Sequence, residues 1–145
     1  MRRKPVQREK HEQAAIVQLL RSIGASVYVL GTRRPRGDYH GTCQTPGIPD
    51  LYAMLPARKS WAADAVWIEV KSATGRLSPD QSVFASRCYE RSIPYVRGGV
   101  DAVISWLTAS GYLKPDQVPH YRQKGLTHGD DQKPVARGHA RAETA

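Results

Sequence analysis

The segment Ala65-Val-Trp-Ile-Glu-Val-Lys71 constrains the fold more than any other stretch of this chain. Successive residues of a strand point to opposite faces, so Val66, Ile68 and Val70 share one side and Trp67, Glu69 and Lys71 the other. The first side is wholly apolar and has to be covered by another layer. The rest of the chain supplies both a sheet and its cover. Ile16, Leu19, Leu20 and Ile23 recur at i, i+3, i+4 and i+7, which predicts an amphipathic helix from about 7 to 23, ended by Gly24. Residues 26–30 and 50–55 read as strands, the second stopped by Pro56. Ser78-Pro-Asp-Gln81 has the order of a helix start, with Ser at the N-cap, Pro at N1, an acid in the first turn and Gln at N3. That helix runs to about 91, with Phe84 and Cys88 inward. Residues 94–97 form a closing strand. Val100, Val103, Ile104 and Leu107 repeat at helical spacing before Gly111. The expected order is helix, three strands, helix, strand, helix: an α/β chain with a mixed sheet covered by helices.

The distribution of charge matters more than its total of +9. Residues 1–36 carry a net +7, residues 37–119 are balanced, and residues 120–145 carry +2. The excess lies in the arms around a neutral core. A basic arm suits either contact with a phosphate backbone or simple solubility. The 145 residues match one domain of ordinary size, taken as about 100–200 residues. We expect a basic arm over 1–10, a folded domain over 11–113 and a disordered tail over 114–145, where large apolar residues become scarce. No apolar run nears the roughly 18 residues of a membrane span, and no apolar segment follows Met1–Lys10 as in a signal peptide. Cys43 and Cys88 are too few for a disulfide scaffold, so a reduced cytoplasmic setting is the expectation. The five histidines lack zinc spacing, and no Ser-His-Asp or phosphate-loop pattern occurs.

The chemistry-bearing residues are Asp50, at the mouth of one strand, and Glu69 with Lys71 on the next. If those strands form a hairpin, the two carboxylates converge on one side. Together with a backbone carbonyl, here that of Val70, they would suit a hard cation such as Mg²⁺, which takes oxygen ligands and keeps several waters. Such an ion makes a bound water more acidic and stabilises charge on a phosphate. Lys71 then orients the water or neutralises the developing oxyanion, an electrostatic role. The same alternation also serves a solvated face with a cross-strand ion pair. Pro49 stiffens the approach Gly47-Ile-Pro-Asp50, as a ligand position requires. Arg33, Arg34 and Arg36, in the loop 31–47 with Tyr39 and His40, suit a grip on phosphate or a plain surface loop.

Gly47-Ile-Pro-Asp-Leu51, Trp67-Ile-Glu-Val-Lys-Ser72 and Gly75-Arg-Leu-Ser-Pro-Asp-Gln81, taken together, resemble the VRR-NUC family of PD-(D/E)xK nucleases. The likeness runs from about Glu12 to Leu107. It implies a restriction-endonuclease-like core with a four-stranded mixed sheet flanked by helices, in the order α-β-β-β-α-β-α. It also implies Mg²⁺- or Mn²⁺-dependent hydrolysis of phosphodiester bonds. By motif match, Asp50 and Glu69 become metal ligands, Lys71 the catalytic lysine, Gln81 the glutamine of the second helix, and Glu12 the acid of the first. Glu12 has an alternative in the dipole of its own helix, and Gln81 in a capping box with Ser78. Arg76, inside the third motif, joins the loop arginines as a candidate DNA contact. The resemblance further implies a homodimer acting on branched DNA such as Holliday junctions, in phage or bacterial replication, recombination or repair. Two other readings remain: an inactive nuclease-fold DNA-binding module, and a flap- or restriction-type nuclease.

Overall fold

The structure, a computed structural model, describes residues 5–30, 45–57 and 65–121, with side chains from Arg8 onward in the first stretch. Helix α1 (Pro5–Ser22) leads into β1 (Ser26–Val29), followed by β2 (Leu51–Met54) and β3 (Ala65–Val70). Helix α2 (Pro79–Glu90) then precedes β4 (Tyr95–Gly98) and α3 (Val100–Ala109). The element order is the one expected from the sequence. The strands lie side by side in chain order, with β1–β2 and β2–β3 antiparallel and β3–β4 parallel, so the sheet is mixed. A parallel step needs a crossover, and α2 provides it.

The alternation in β3 divides the molecule. Val66, Ile68 and Val70 are buried with Leu51, Ala53 and Val96 against Ile16, Leu19 and Leu20 of α1 and Val103, Ile104 and Leu107 of α3. This is the hydrophobic core, and α1 and α3 form the layer the apolar face demanded. The opposite face carries one aromatic residue per strand in a single register row: Tyr28, Tyr52, Trp67 and Tyr95. Phe84 of α2 packs on that row, its ring edge-on to Trp67 at 5.2 Å between centroids.

Beyond α3 a 3₁₀ turn at Pro115–Gln117 continues into a helical turn, and Val118 and Tyr121 pack against the core. Described structure thus extends eight residues past position 113, where the sequence places the end of the domain; residues 122–145 lie outside the described residues. So do Arg33, Arg34 and Arg36, the proposed loop contacts. Among the described residues no helix is long and apolar enough to cross a membrane.

Candidate active site

Pairing of β2 with β3 sets the geometry. Leu51 opposes Ile68, and continuing that register one step places Asp50 opposite Glu69, on the face away from the core. Directly opposed antiparallel residues have Cβ atoms about 4.5–5.5 Å apart, so the two carboxylates converge as the hairpin reading required. Asp50 sits just outside β2, yet two bonds fix it. Its carbonyl accepts from the N–H of Leu30, and its Oδ2 accepts from the N–H of Val70 at 2.9 Å. The side chain thus stands in for the next rung of the β2–β3 ladder. Val70, expected to contribute a carbonyl, here contributes its N–H to the neighbouring carboxylate.

The approach to Asp50 is held by Gly47. Its φ of +85° suits glycine, and a Cβ there would lie 2.5 Å from the carbonyl oxygen of Asp80 in the first turn of α2. Close contact between this loop and α2 brings a second element to the site. Helix α2 starts with the expected capping box: Ser78 Oγ accepts from the N–H of Gln81, and Gln81 Oε1 accepts from the N–H of Ser78. The other end of the same amide, Nε2, donates to Glu69 Oε1 at 2.5 Å. Gln81 therefore fills both of the roles considered for it, because its acceptor faces the helix end and its donor faces the carboxylate.

Glu69 is 1% exposed, and it is the buried charged residue of this face. Lys71 Nζ lies 3.0 Å from Oε1, the oxygen that Gln81 also holds. Oε2 is buried with no hydrogen-bond partner, as is the hydroxyl of Tyr95. One oxygen is thus doubly bound and the other bare. Burial pushes the Glu69 carboxyl up from its ordinary value; the hydrogen bond from Lys71 opposes this, while the charge of Asp50 adds to it. Burial likewise raises Asp50, against the bond from Val70 and the charge of Lys71. Tyr95 is pushed up to about 12, by burial first and then by the charge of Glu69.

Two carboxylates of α1 bear on this region. Glu12 Oε2 accepts from the N–H of Val100 at 2.8 Å, at the first turn of α3, and a Cβ on Gly99 would lie 2.5 Å from it. It caps another helix, which its position on the buried stripe of α1 allows because the partner is a backbone N–H. Glu9, one turn earlier on the same side, has a charge that raises both Asp50 and Glu69. Sequence reasoning missed Glu9; its three-residue spacing from Glu12 was the available signal. The structure brings together Asp50, Glu69, Lys71, Gln81 and the Val70 amide, and leaves Glu12 bound to α3. Among the described residues no group of three or more His, Cys, Asp or Glu side chains is arranged to hold a metal ion.

Arg76 is exposed on the turn between β3 and α2. Arg97, in register with Glu69 on β4, was also missed; its guanidinium donates to the carbonyl of Gly75 at 2.5 Å and ties that turn to the sheet. A strand residue two positions from Tyr95 had to share its face, which was the signal. Chemically, the site offers two carboxylates under electrostatic stress, each held through one oxygen, beside a cationic donor.

Compared with known protein families, residues 2–102 match the VRR-NUC domain. No curated protein and no solved structure matches the chain.

Proposed function

Because the chain belongs to the VRR-NUC family, and so is a nuclease of the PD-(D/E)xK type acting on DNA, we propose that it is a divalent-metal-dependent, structure-selective endonuclease that hydrolyses phosphodiester bonds in branched DNA. The observation that carries this reading is the state of Glu69: one carboxylate oxygen held by Lys71 and Gln81, the other buried and without a partner, and Asp50 alongside. Two adjacent carboxylates, both pushed toward protonation by burial, fit a hard divalent cation, since an ion compensates the charge that burial disfavours.

Asp50 and Glu69 would hold Mg²⁺ or Mn²⁺, with the Val70 carbonyl available as a further oxygen. When bound, the ion supplies Lewis-acid stabilisation of the phosphate and a more acidic water. The protein's own residues do the positioning. Gln81 and Lys71 fix the Glu69 carboxylate through Oε1, and the Val70 N–H fixes that of Asp50 through Oδ2. Lys71 places a positive charge where negative charge grows on the scissile phosphate. Glu12 holds the start of α3 against the strand ends, and enters the cation's surroundings only by releasing the Val100 N–H. Arg76, with Arg33, Arg34 and Arg36, contributes phosphate contacts that set affinity without reading sequence.

The test incubates purified protein with duplex, flap, single-stranded and four-way-junction DNA, in Mg²⁺, Mn²⁺ or EDTA. Paired nicks confined to the junction, abolished by EDTA and by Glu69→Ala or Lys71→Ala, support the reading, as does a homodimer in sedimentation. Cleavage indifferent to DNA structure overturns the branched-DNA preference. Cleavage that survives Asp50→Ala removes that residue from the mechanism.

A further inference from the structure

Row by row, the face that carries the carboxylates has a second organised feature. Tyr28, Tyr52, Trp67 and Tyr95 occupy matched positions on all four strands. Their rings form a chain: 6.2 Å between the centroids of Tyr28 and Tyr52, and 4.7 Å between Tyr52 and Trp67. Phe84 continues it to Tyr95, with centroids 6.4 Å apart. The Trp67–Tyr95 end lies under α2 and is accounted for as packing. The Tyr28 end is not, since Tyr28 is 48% exposed on the edge strand and Met54, two residues from Tyr52 on the same face, is also exposed. A phenol needs no such exposure to complete a core, and the core lies on the other face.

Asp50 precedes Tyr52 by two residues and Glu69 follows Trp67 by two, so the aromatic row lies one side-chain step from the carboxylate row, roughly 6–7 Å along the strands. A single nucleotide spans that distance between its phosphate and its base. We propose that the exposed Tyr28–Tyr52 end of this row is a stacking platform for an unpaired DNA base next to the scissile phosphate. It thereby favours substrates with a base free to leave the helix. The inference rests on the nuclease reading above and specifies its substrate: a base stacked in an intact duplex cannot present its face to Tyr28. The occupant follows from neighbouring chemistry, since a DNA phosphate drawn to Lys71, beside the carboxylate pair, brings its own base to the rings. Stacking on aromatic rings tolerates every base, so the platform selects unpaired structure and not sequence.

The experiment uses the full chain in EDTA at low salt, with two DNAs: a continuous duplex, and the same duplex with a three-nucleotide unpaired stretch. Each unpaired position in turn carries 2-aminopurine, whose fluorescence falls on stacking. The wild type and Tyr28→Phe should quench at one or more positions and bind the unpaired DNA in preference to the duplex. Tyr28→Ala, and Tyr28→Leu, which keeps apolar cover over Tyr52, should lose the quench. Their preference should fall about tenfold, the scale of one base–aromatic stack. Quenching and preference unchanged in both variants, or absent from the wild type at every position, overturn the platform. Because no cleavage is measured, the two readings fail separately. Absence of Glu69-dependent cleavage defeats the nuclease reading while a Tyr28-dependent quench keeps the platform. Glu69-dependent cleavage with Tyr28-independent stacking does the reverse.

Discussion

Replacing Lys71 by methionine tests whether an ammonium is what lets two buried carboxylates share one face. Methionine keeps most of the apolar stem and removes the charge. In the folded protein Lys71 Nζ lies 3.0 Å from Glu69 Oε1, with side-chain exposures of 16% and 1%. Removing one partner of a fully buried ion pair costs about 3–5 kcal/mol, because the remaining charge is left without compensation. Two features reduce that here. Lys71 keeps some contact with water, which screens the pair, and Gln81 still donates to the same oxygen. We expect about 2 kcal/mol at pH 8. The dependence on pH is the sharper measurement. Asp50 and Glu69 both have pKa values raised by folding, so each holds a proton more tightly folded than unfolded. Their stabilising effect is complete below the ordinary carboxylate range, about pH 4, and is lost as pH rises through the raised values. Lys71 lowers both groups, so its removal raises them further and protonation at mild acidity relieves the variant. The difference from wild type should shrink to under about 1 kcal/mol at pH 4.5. Urea unfolding in EDTA at both pH values measures it. An equal loss at pH 8 and pH 4.5 would show that packing of the stem, and not charge, sets the effect, and would refute the reasoning.

Three further outcomes are expected. In 10 mM Mg²⁺ at pH 8 the protein should gain about 1.4 kcal/mol for a site with a Kd on the order of 1 mM, reversed by EDTA and smaller at pH 4.5, where protons compete for carboxyl groups that burial pushes up from their ordinary values. Equal gain in Glu69→Gln would place the ion elsewhere. Gln81→Ala removes half of the capping box and a donor to Glu69 Oε1, and should cost about 1–2 kcal/mol by thermal unfolding. Gln81→Ala at no greater cost than a surface change would show that the amide holds neither end. Gly47→Ala should cost about 1–3 kcal/mol, because it combines a left-handed φ with a Cβ 2.5 Å from the Asp80 carbonyl. A neutral result by chemical denaturation would mean that the loop before Asp50 does not rest on α2 in solution.

Much of this architecture was legible in the residues. Period-2 alternation in 65–71 and the 3.6-period stripes at 16–23 and 100–107 report burial directly, since solvent exclusion acts residue by residue along a regular element. The capping box at Ser78 and Gln81 is a local interaction within four residues, and it formed as read. Convergence of Asp50 and Glu69 followed from a hairpin guess and face counting. Legibility ended where contacts span elements. Glu12 and Val100 are 88 positions apart, and their bond depends on where α1 crosses the start of α3, which no local pattern encodes. The charge of Glu9 acts on the carboxylate pair for the same reason.

By itself, then, the chain determined which residues face inward, where helices begin and which side of β3 bears its chemistry, because these depend on neighbours a few bonds away. Tertiary structure alone decided that Glu12 of α1 binds the start of α3, that one Glu69 oxygen is doubly held while the other is bare, and that four aromatic rings line up beside the site. Those outcomes depend on strand register and helix placement, set by packing of the whole core, so a one-residue slip of one strand would turn its carboxylate or ring to the other face.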